Sequence, residues 1–184
     1  IHYETFMGNS FPKSYRYIKY DRQFVKVNLS KIVNNSINSK KRKTYINFLN
    51  THSHALNLIR YYTGDKKKIR LINKDFKKKK ISMKCQNLDI SLFYKFIQKG
   101  KWNEKIFLDF ENARVIQVFP APQLRNKSST VKILNKGNNK KFSKNLWSFK
   151  SQADYNIRYF FNKKNCCTID KCLDDLKLVE EIFS

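Results

Sequence analysis

The spacing of apolar residues predicts one clear helix in the first half of the chain, over Thr44–Tyr62. Its apolar positions recur every three or four residues, and Gly64 supplies a stop just beyond its end. The polar and basic segment Asn34–Lys43 indicates a linker before this helix. The apolar stripe consists of Tyr45, Phe48, Leu49, His52, Leu56 and Ile59.

From Ile81 onward the pattern predicts alternating strands and helices. Ile81–Gln86 alternates apolar and polar residues, as half-buried strands do. Asp89 is suited to cap a helix that ends at Gly100, with Ile90, Phe93, Phe96 and Ile97 as its apolar face. Two further strands are predicted over Ile106–Phe110 and Val115–Phe119. A second helix is predicted after the cap residue Thr168, and a final strand over Val179–Phe183. The predicted buried face of this helix consists of Ile169, Cys172, Leu173 and Leu176.

The segment Phe119–Ser151 contains no acidic residue and predicts a long basic hairpin. Pro120 and Pro122 indicate a kinked edge strand or rigid turn at its start. A β-branched run, Thr130–Ile133, leads to a tip at Gly137–Lys141, and the return arm continues through Tyr155, Ile157, Tyr159 and Phe161. The resulting order β-α-β-β-α-β predicts an α+β fold of the ferredoxin-like, split βαβ kind for residues 80–184. Residues 1–79 then form a basic, partly helical extension.

The charge of the chain points to a polyanionic partner. Its 184 residues include 39 Lys+Arg against 14 Asp+Glu, a formal net charge of +25, although 41% of the residues are hydrophobic and allow a core. Such a charge opposes compaction unless an anion neutralises it, and nucleic acid gains affinity by releasing counterions. An anionic membrane surface is the main alternative, but no apolar run of eighteen residues predicts a membrane span.

Basic residues of the hairpin and of one earlier lysine run are the candidate RNA-binding residues. They would contact phosphates as point charges, which gives recognition by shape and not by sequence. Trp147 is suited either to stack on a base or to pack against the return strand. The candidates are Arg125, Lys127, Lys132, Lys136, Lys140, Lys141, Lys144, Trp147 and Lys150, with Lys77, Lys78, Lys79 and Lys80.

The sequence offers little for catalysis, metal binding or a small-molecule substrate. No phosphate-binding loop, nucleophile elbow or paired-histidine zinc motif occurs, and His52 and His54 fall on different faces of their helix. The cysteine spacing fits no familiar zinc site. We therefore expect no catalytic residues, no metal and no cofactor; a nuclease with a carboxylate site around Asp109 and Glu111 is kept as a rival hypothesis.

Four segments in order resemble the small-subunit ribosomal protein S-ten family. They are KISMKCQNLDISLFYKFI, FPAPQLRNKSSTVKILNKG, NNKKFSKNLWSFKS and TIDKCLDDLKLVEEIFS, which together span roughly residues 80–184. The resemblance implies a ferredoxin-like, non-catalytic protein of the small-subunit head that binds 3′-domain rRNA beside the S-three, S-nine and S-fourteen families. An insertion over Leu108–Arg114, the absence of the family's usual hairpin histidines and the extension over residues 1–79 depart from the compact bacterial form.

This divergence favours a mitochondrial ribosome, with another organelle or the cytoplasm as alternatives. A protein that acts outside the ribosome is the second hypothesis. It would be a free regulatory nucleic-acid-binding protein, such as an antitermination-type adaptor or a viral nucleoprotein. Binding that resists salt would favour the ribosome, because a free electrostatic binder dissociates as the salt concentration rises.

Overall fold

The structure, a computed structural model, describes residues 1–8, 33, 37–64, 67–97, 101–121, 127–135, 138–143, 157 and 169–184. These residues form an α+β fold, as predicted, in which two helices pack on one face of an eight-stranded mixed sheet. The elements are β1 His2–Gly8, α1 Ser39–Thr63, β2 Arg70–Asp75, β3 Lys80–Cys85, β4 Leu88–Ile97, β5 Trp102–Asp109, β6 Ala113–Phe119, β7 Thr130–Asn135, β8 Asn138–Ser143 and α2 Ile169–Phe183.

The order of strands across the sheet is β2-β3-β4-β1-β5-β6-β7-β8. Strand β1 lies parallel to β4 and antiparallel to β5, and the other neighbouring strands are antiparallel. Tight turns join β2 to β3 and β3 to β4, with Lys79 and Gln86 both at a φ of 54°. The Asp75 carboxylate accepts hydrogen bonds from the backbone amides of Lys77 (3.0 Å) and Lys78 (2.9 Å), which fixes the first turn.

The core lies between the helices and strands β1 to β5. Phe48 of α1 is fully buried, with its ring centroid 5.1 Å from that of Tyr94 and 5.4 Å from that of Phe183. Rings at these separations attract each other beyond simple burial. The aromatic contacts therefore join α1, β4 and α2 in one core.

The predicted first helix is confirmed, together with its buried stripe and its end at Gly64, where φ is 93°. It begins earlier than predicted, so the proposed linker is wrong over residues 39–43. The reason is the Asn38 side chain, which accepts a hydrogen bond from the Lys40 amide (2.9 Å) and caps the helix there. Strands over residues 81–85, 106–109, 115–119 and 130–133 are confirmed as well.

The predicted helix from Asp89 to Gly100 is wrong over Leu88–Ile97, which form strand β4. The apolar residues of this segment fit both periods, and pairing with β1 and β3 selects the strand. Ile90, Leu92 and Tyr94 are buried as alternate residues, whereas Phe93, predicted for the apolar helix face, points to the other side of the sheet.

The predicted last strand is also wrong, because Val179–Phe183 are the end of helix α2. Leu178, Val179, Ile182 and Phe183 supply its buried face, at helical spacing. Cys172, Leu173 and Leu176, which were predicted to be buried, are exposed. The error followed from ending the helix too early, so that its contact face was placed one to two turns before the true one.

The sheet runs continuously across the predicted boundary between residues 79 and 80. That boundary falls in the β2–β3 turn, and β1 from the predicted extension pairs with β4 and β5. With strand β4 in place of a helix and helix α2 in place of a final strand, the described elements do not follow the split βαβ order. The α+β class holds, and the ferredoxin-like order is not reproduced.

The described part of the predicted basic hairpin, formed by β7 and β8, is paired into the sheet through β6. Phe119 ends β6 and packs against the core, while β7 and β8 pair from Thr130↔Ser143 to Asn135↔Asn138. Lys140 and Lys141, predicted at the tip, lie within strand β8. The predicted return arm, apart from Ile157, and the Thr168 cap lie outside the described residues.

Candidate nucleic-acid interface

Strands β7 and β8 form a hairpin, which is called the hairpin below. Lysines occupy directly opposed positions on its two strands. Lys132 of β7 pairs directly with Lys141 of β8, and Lys140 lies opposite Ile133. All three lysines are exposed. Directly opposed side chains have Cβ atoms about 4.5–5.5 Å apart, and like charges there are destabilising. The hairpin thus keeps two cations together at a cost that a bound anion would remove.

Neither strand of the hairpin contains an acidic residue that could neutralise these lysines. Strand β8 is the last strand of the described sheet, and lysines on such an edge also discourage pairing with other chains. That role would explain Lys140 and Lys141, but it does not explain Lys132, because β7 is paired on both sides. A phosphate-binding role would account for all three.

The face of the sheet opposite the helices is called the open face below. Strand β1 defines the two sides: Tyr3 and Thr5 are fully buried towards the helices, whereas His2 and Glu4 point to the open face. The strand registers extend this alternation to all neighbours. Among the described residues, no helix packs on the open face.

An aromatic cluster lies at the centre of the open face. The His2 ring sits between Phe93 of β4 and Phe107 of β5, with centroid separations of 4.8 Å and 5.2 Å. All three side chains are only partly buried. The ammonium of Lys80 lies 5.4 Å from the Phe93 centroid, within the range of a cation–π contact. Aromatic and basic groups therefore share one surface.

Lysines that make no ion pair among the described residues surround this aromatic cluster, and two of them lie directly opposite a carboxylate: Lys105 opposite Glu4 and Lys80 opposite Asp75. On strands β1 and β3 to β8, the ion pairs of the open face are Glu4 with His2, Asp89 with Lys84 and Asp109 with Arg114. Five further lysines of this face have no ion pair within the described part of the chain: Lys80, Lys95, Lys105, Lys132 and Lys141. The open face therefore carries an excess of positive charge that its own acids do not neutralise.

The structure separates the two predicted lysine groups. Lys77, Lys78 and Lys79 are exposed in the β2–β3 turn at one edge of the sheet, and the hairpin forms the other edge. Seven strand spacings of about 4.8 Å place these edges about 34 Å apart. The open face connects them, with Lys80 on β3 at one side and Lys141 on β8 at the other.

Several predicted RNA-binding residues lie outside the described residues. Lys127 is described and exposed, just before β7. The geometry of the interface is therefore built from the described candidates and from open-face residues that the sequence analysis missed. The candidates outside the described residues are Arg125, Lys136, Lys144, Trp147 and Lys150.

The missed residues are Phe93, Phe107, His2 and Lys105. Phe93 was placed on a helix, and His2 was not assigned to any element. The period-two alternation of Ile90, Leu92 and Tyr94 was the available signal for β4. Once β4 is recognised as a strand, Phe93 falls on the face opposite the buried residues.

A chain of buried polar groups lies on the helix side of the sheet. The hydroxyl of fully buried Tyr3 donates a hydrogen bond to Glu104, and Glu104 also contacts His54 Nε2 at 2.8 Å. Burial and the adjacent Glu104 charge raise the pKa of Tyr3 above its usual range, so its hydroxyl stays protonated. His52 contacts Thr5 Oγ1 at 3.0 Å. These contacts fasten α1 to β1 and β5.

The rival nuclease hypothesis gains no support from the geometry. Asp109 lies in β5, where its carboxylate accepts a hydrogen bond from Arg114 Nε, and Glu111 is exposed in the following turn. Within the described ranges, no three His, Cys, Asp or Glu side chains converge as a metal site. Nor does any described helix combine the length and apolar character needed to cross a bilayer.

Comparisons of the chain with models of protein families, with curated proteins and with solved structures find no match. By its fold and its candidate interface, the chain is an α+β protein with a basic, partly aromatic sheet face. Any assignment of function accordingly depends on the geometry of its own described residues.

Proposed function

We propose that the protein binds RNA without catalysis, as a structural component of a small ribosomal subunit, specifically that of a mitochondrial ribosome. The observation that carries RNA binding is the directly opposed Lys132–Lys141 pair in a hairpin without acids, continuous with an open face rich in unpaired lysines. Each phosphate that such lysines neutralise releases counterions, which favours binding to any nucleic acid backbone.

The ribosomal context rests on the resemblance of four ordered segments, over roughly residues 80–184, to the S-ten family. Part of one of these segments, residues 119–137, forms the β7 strand of the basic hairpin. The proposed partners are 3′-domain rRNA of the small subunit and head proteins of the S-three, S-nine and S-fourteen families. The ferredoxin-like order is not part of the proposal, because strand β4 occupies the position of its first helix.

The hairpin allows a variant in which RNA binding and stability change in opposite directions. In Lys132→Glu, a carboxylate faces Lys141, so a repulsive cross-strand pair becomes an attractive one. This change should raise the free energy of unfolding by about 0.2–1 kcal/mol. We expect the Tm to stay level or rise, the RNA affinity to fall, and the salt dependence of log K to lose about one unit of slope.

Lys43→Glu is the matched control for this experiment. Lys43 is exposed in the first turns of α1, on the helix side of the sheet, and its substitution makes the same change in net charge. Fluorescence anisotropy with a structured RNA fragment would measure both variants over a range of salt. Equal loss of affinity in the two variants would show that net charge alone, and not the hairpin, sets RNA binding.

Sedimentation tests the ribosomal context separately. A structural subunit protein is expected to remain with ribosomal particles through a high-salt wash, because neighbouring proteins and folded RNA enclose it. A free regulatory nucleic-acid-binding protein would leave the particle fraction as salt rises. Quantitative release at moderate salt would therefore reject the ribosomal role and leave RNA binding intact.

A further inference from the structure

The open face has a feature that attraction of phosphate does not explain, the aromatic cluster at its centre. His2, Phe93 and Phe107 lie on adjacent strands β1, β4 and β5 and are partly exposed. Lysines alone would be sufficient to bind an RNA backbone. Partly exposed aromatic rings on a basic sheet face, by contrast, are suited to stack on unpaired bases.

The spacing of the two phenylalanines favours a single strand over a duplex. They are separated by two strand spacings, because β1 lies between their strands, and by an offset of two residues along the strands, which together place their backbones about 12 Å apart. Bases within a duplex strand follow each other at about 3.4 Å and keep their faces covered by neighbouring bases. Two rings on backbone positions about 12 Å apart therefore match bases that are unstacked and spread apart.

The charges around the cluster fit the same ligand. Lys80 of β3 lies between Phe93 of β4 and Asp75 of β2, directly opposite both. Lys105 lies on β5, two residues before Phe107 and directly opposite Glu4 of β1. Glu4 occupies the centre between them and contacts His2 Nε2 at 3.2 Å. A carboxylate there repels phosphate, so the backbone is directed towards the lysines while the uncharged bases occupy the centre.

We propose that the open face binds single-stranded RNA by stacking unpaired bases on Phe93 and Phe107, while Lys80 and Lys105 contact the flanking phosphates. This inference rests on the proposed RNA-binding function and names its ligand class. It differs from that function in requiring bases: an RNA backbone without bases would satisfy the lysines equally well but would leave the exposed parts of the Phe93 and Phe107 rings uncovered.

The full chain can be tested with two labelled ten-nucleotide strands, oligouridylate and an abasic ribose-phosphate strand of equal charge. We expect the uridylate strand to bind about 30-fold more tightly, the low end of the effect of two stacked bases. The double variant with Phe93→Leu and Phe107→Leu should bind both strands with equal affinity, the affinity that the native protein has for the abasic strand. Phe93→Tyr together with Phe107→Tyr, which retains both rings, should keep the native preference.

The comparison of the two strands with the native protein needs no variant, so a folding defect cannot obscure it. Equal affinity for both strands would overturn base stacking and leave phosphate binding intact. Failure to bind either strand at low salt would overturn the proposed RNA-binding function itself. Retention of the native preference by the leucine variant would place the stacking surface elsewhere and would also overturn the assignment.

Discussion

Acid should destabilise this protein through one buried histidine, His52. The side chain is fully buried in α1, with ring centroids of Phe48, Tyr94 and Phe96 at 5.5 Å, 5.7 Å and 5.0 Å. Its Nδ1 contacts Thr5 Oγ1, while Nε2 has no hydrogen-bond partner among the described residues. A proton on Nε2 would therefore sit in an apolar environment without an acceptor.

The pKa of His52 gives the sign and size of this effect. Burial, followed by the nearby charge of His54, lowers the pKa from 6.5 to about 3. Below pH 6.5 the unfolded chain therefore binds a proton that the folded protein does not, and stability falls as the pH is lowered towards 3. Integrating the difference in bound protons between the unfolded and folded states from pH 7 to pH 5 gives a decrease of about 2 kcal/mol in the free energy of unfolding.

Urea unfolding followed by circular dichroism at pH 7 and pH 5 would measure the loss. His52→Asn should be less stable at both values, and it should lose about 2 kcal/mol less between them than the native protein. Other titrating groups are common to both proteins and cancel in this difference.

Equal losses in the native protein and in His52→Asn would refute the reasoning. The imidazole would then have to be protonated in the folded state, with water or a shifted acceptor at Nε2. A steeper fall in His52→Asn would likewise contradict a buried neutral histidine as the source of acid sensitivity.

Two further predictions concern stability. Asp175→Ala should cost about 3–5 kcal/mol, because it leaves the Arg60 guanidinium, whose side chain is only 6% exposed, without its carboxylate. Asp174→Ala, at the exposed neighbouring position, should change the free energy of unfolding by less than about 0.5 kcal/mol. Leu92→Ala should cost about 2–5 kcal/mol, since its side chain is fully buried in β4, whereas Leu88→Ala, 44% exposed in the same strand, should cost far less. Denaturant unfolding of each pair measures these differences, and equal effects within a pair would contradict the burial assigned to it.

The net charge connects the fold to the proposed function. A formal charge of +25 repels itself in the folded state, and the described open face and hairpin concentrate part of it at one surface. Anion binding at that surface relieves repulsion as well as forming new contacts. In the proposed function, the same lysines that weaken the isolated protein would strengthen its complex with RNA.

Local sequence was sufficient to predict helix α1 and strand β7 of the hairpin. In α1 the stripe that includes Phe48, Leu56 and Ile59 has a helical period over nineteen predicted residues, which no strand pattern fits. In the hairpin, the β-branched residues Thr130, Val131 and Ile133 favour a strand by themselves. The basic character of this region follows from composition alone, and so did its selection as a candidate site.

Only the tertiary structure showed that residues 88–97 form strand β4, that β1 pairs with it, and which side chains lie on the open face. Residues 88–97 carry apolar side chains at both helical and strand spacing, and the choice between them depends on β1, whose His2 pairs with Ser91 far along the chain. Local patterns contain no information about such a partner. The helical conformation of the last residues of α2 also depends on tertiary packing. Phe183 packs on Phe48 and Phe76, and this packing keeps residues with strand-like alternation in the helix.

The sequence by itself therefore determined the charge, the α+β class and the β7 strand that carries Lys132. Only the tertiary structure decided which side chains share a face, because strand order and register place residues from distant segments side by side. Phe93, His2 and Phe107 come together in this way, across three strands that are not consecutive along the chain. The proposed base-stacking site exists only through that pairing.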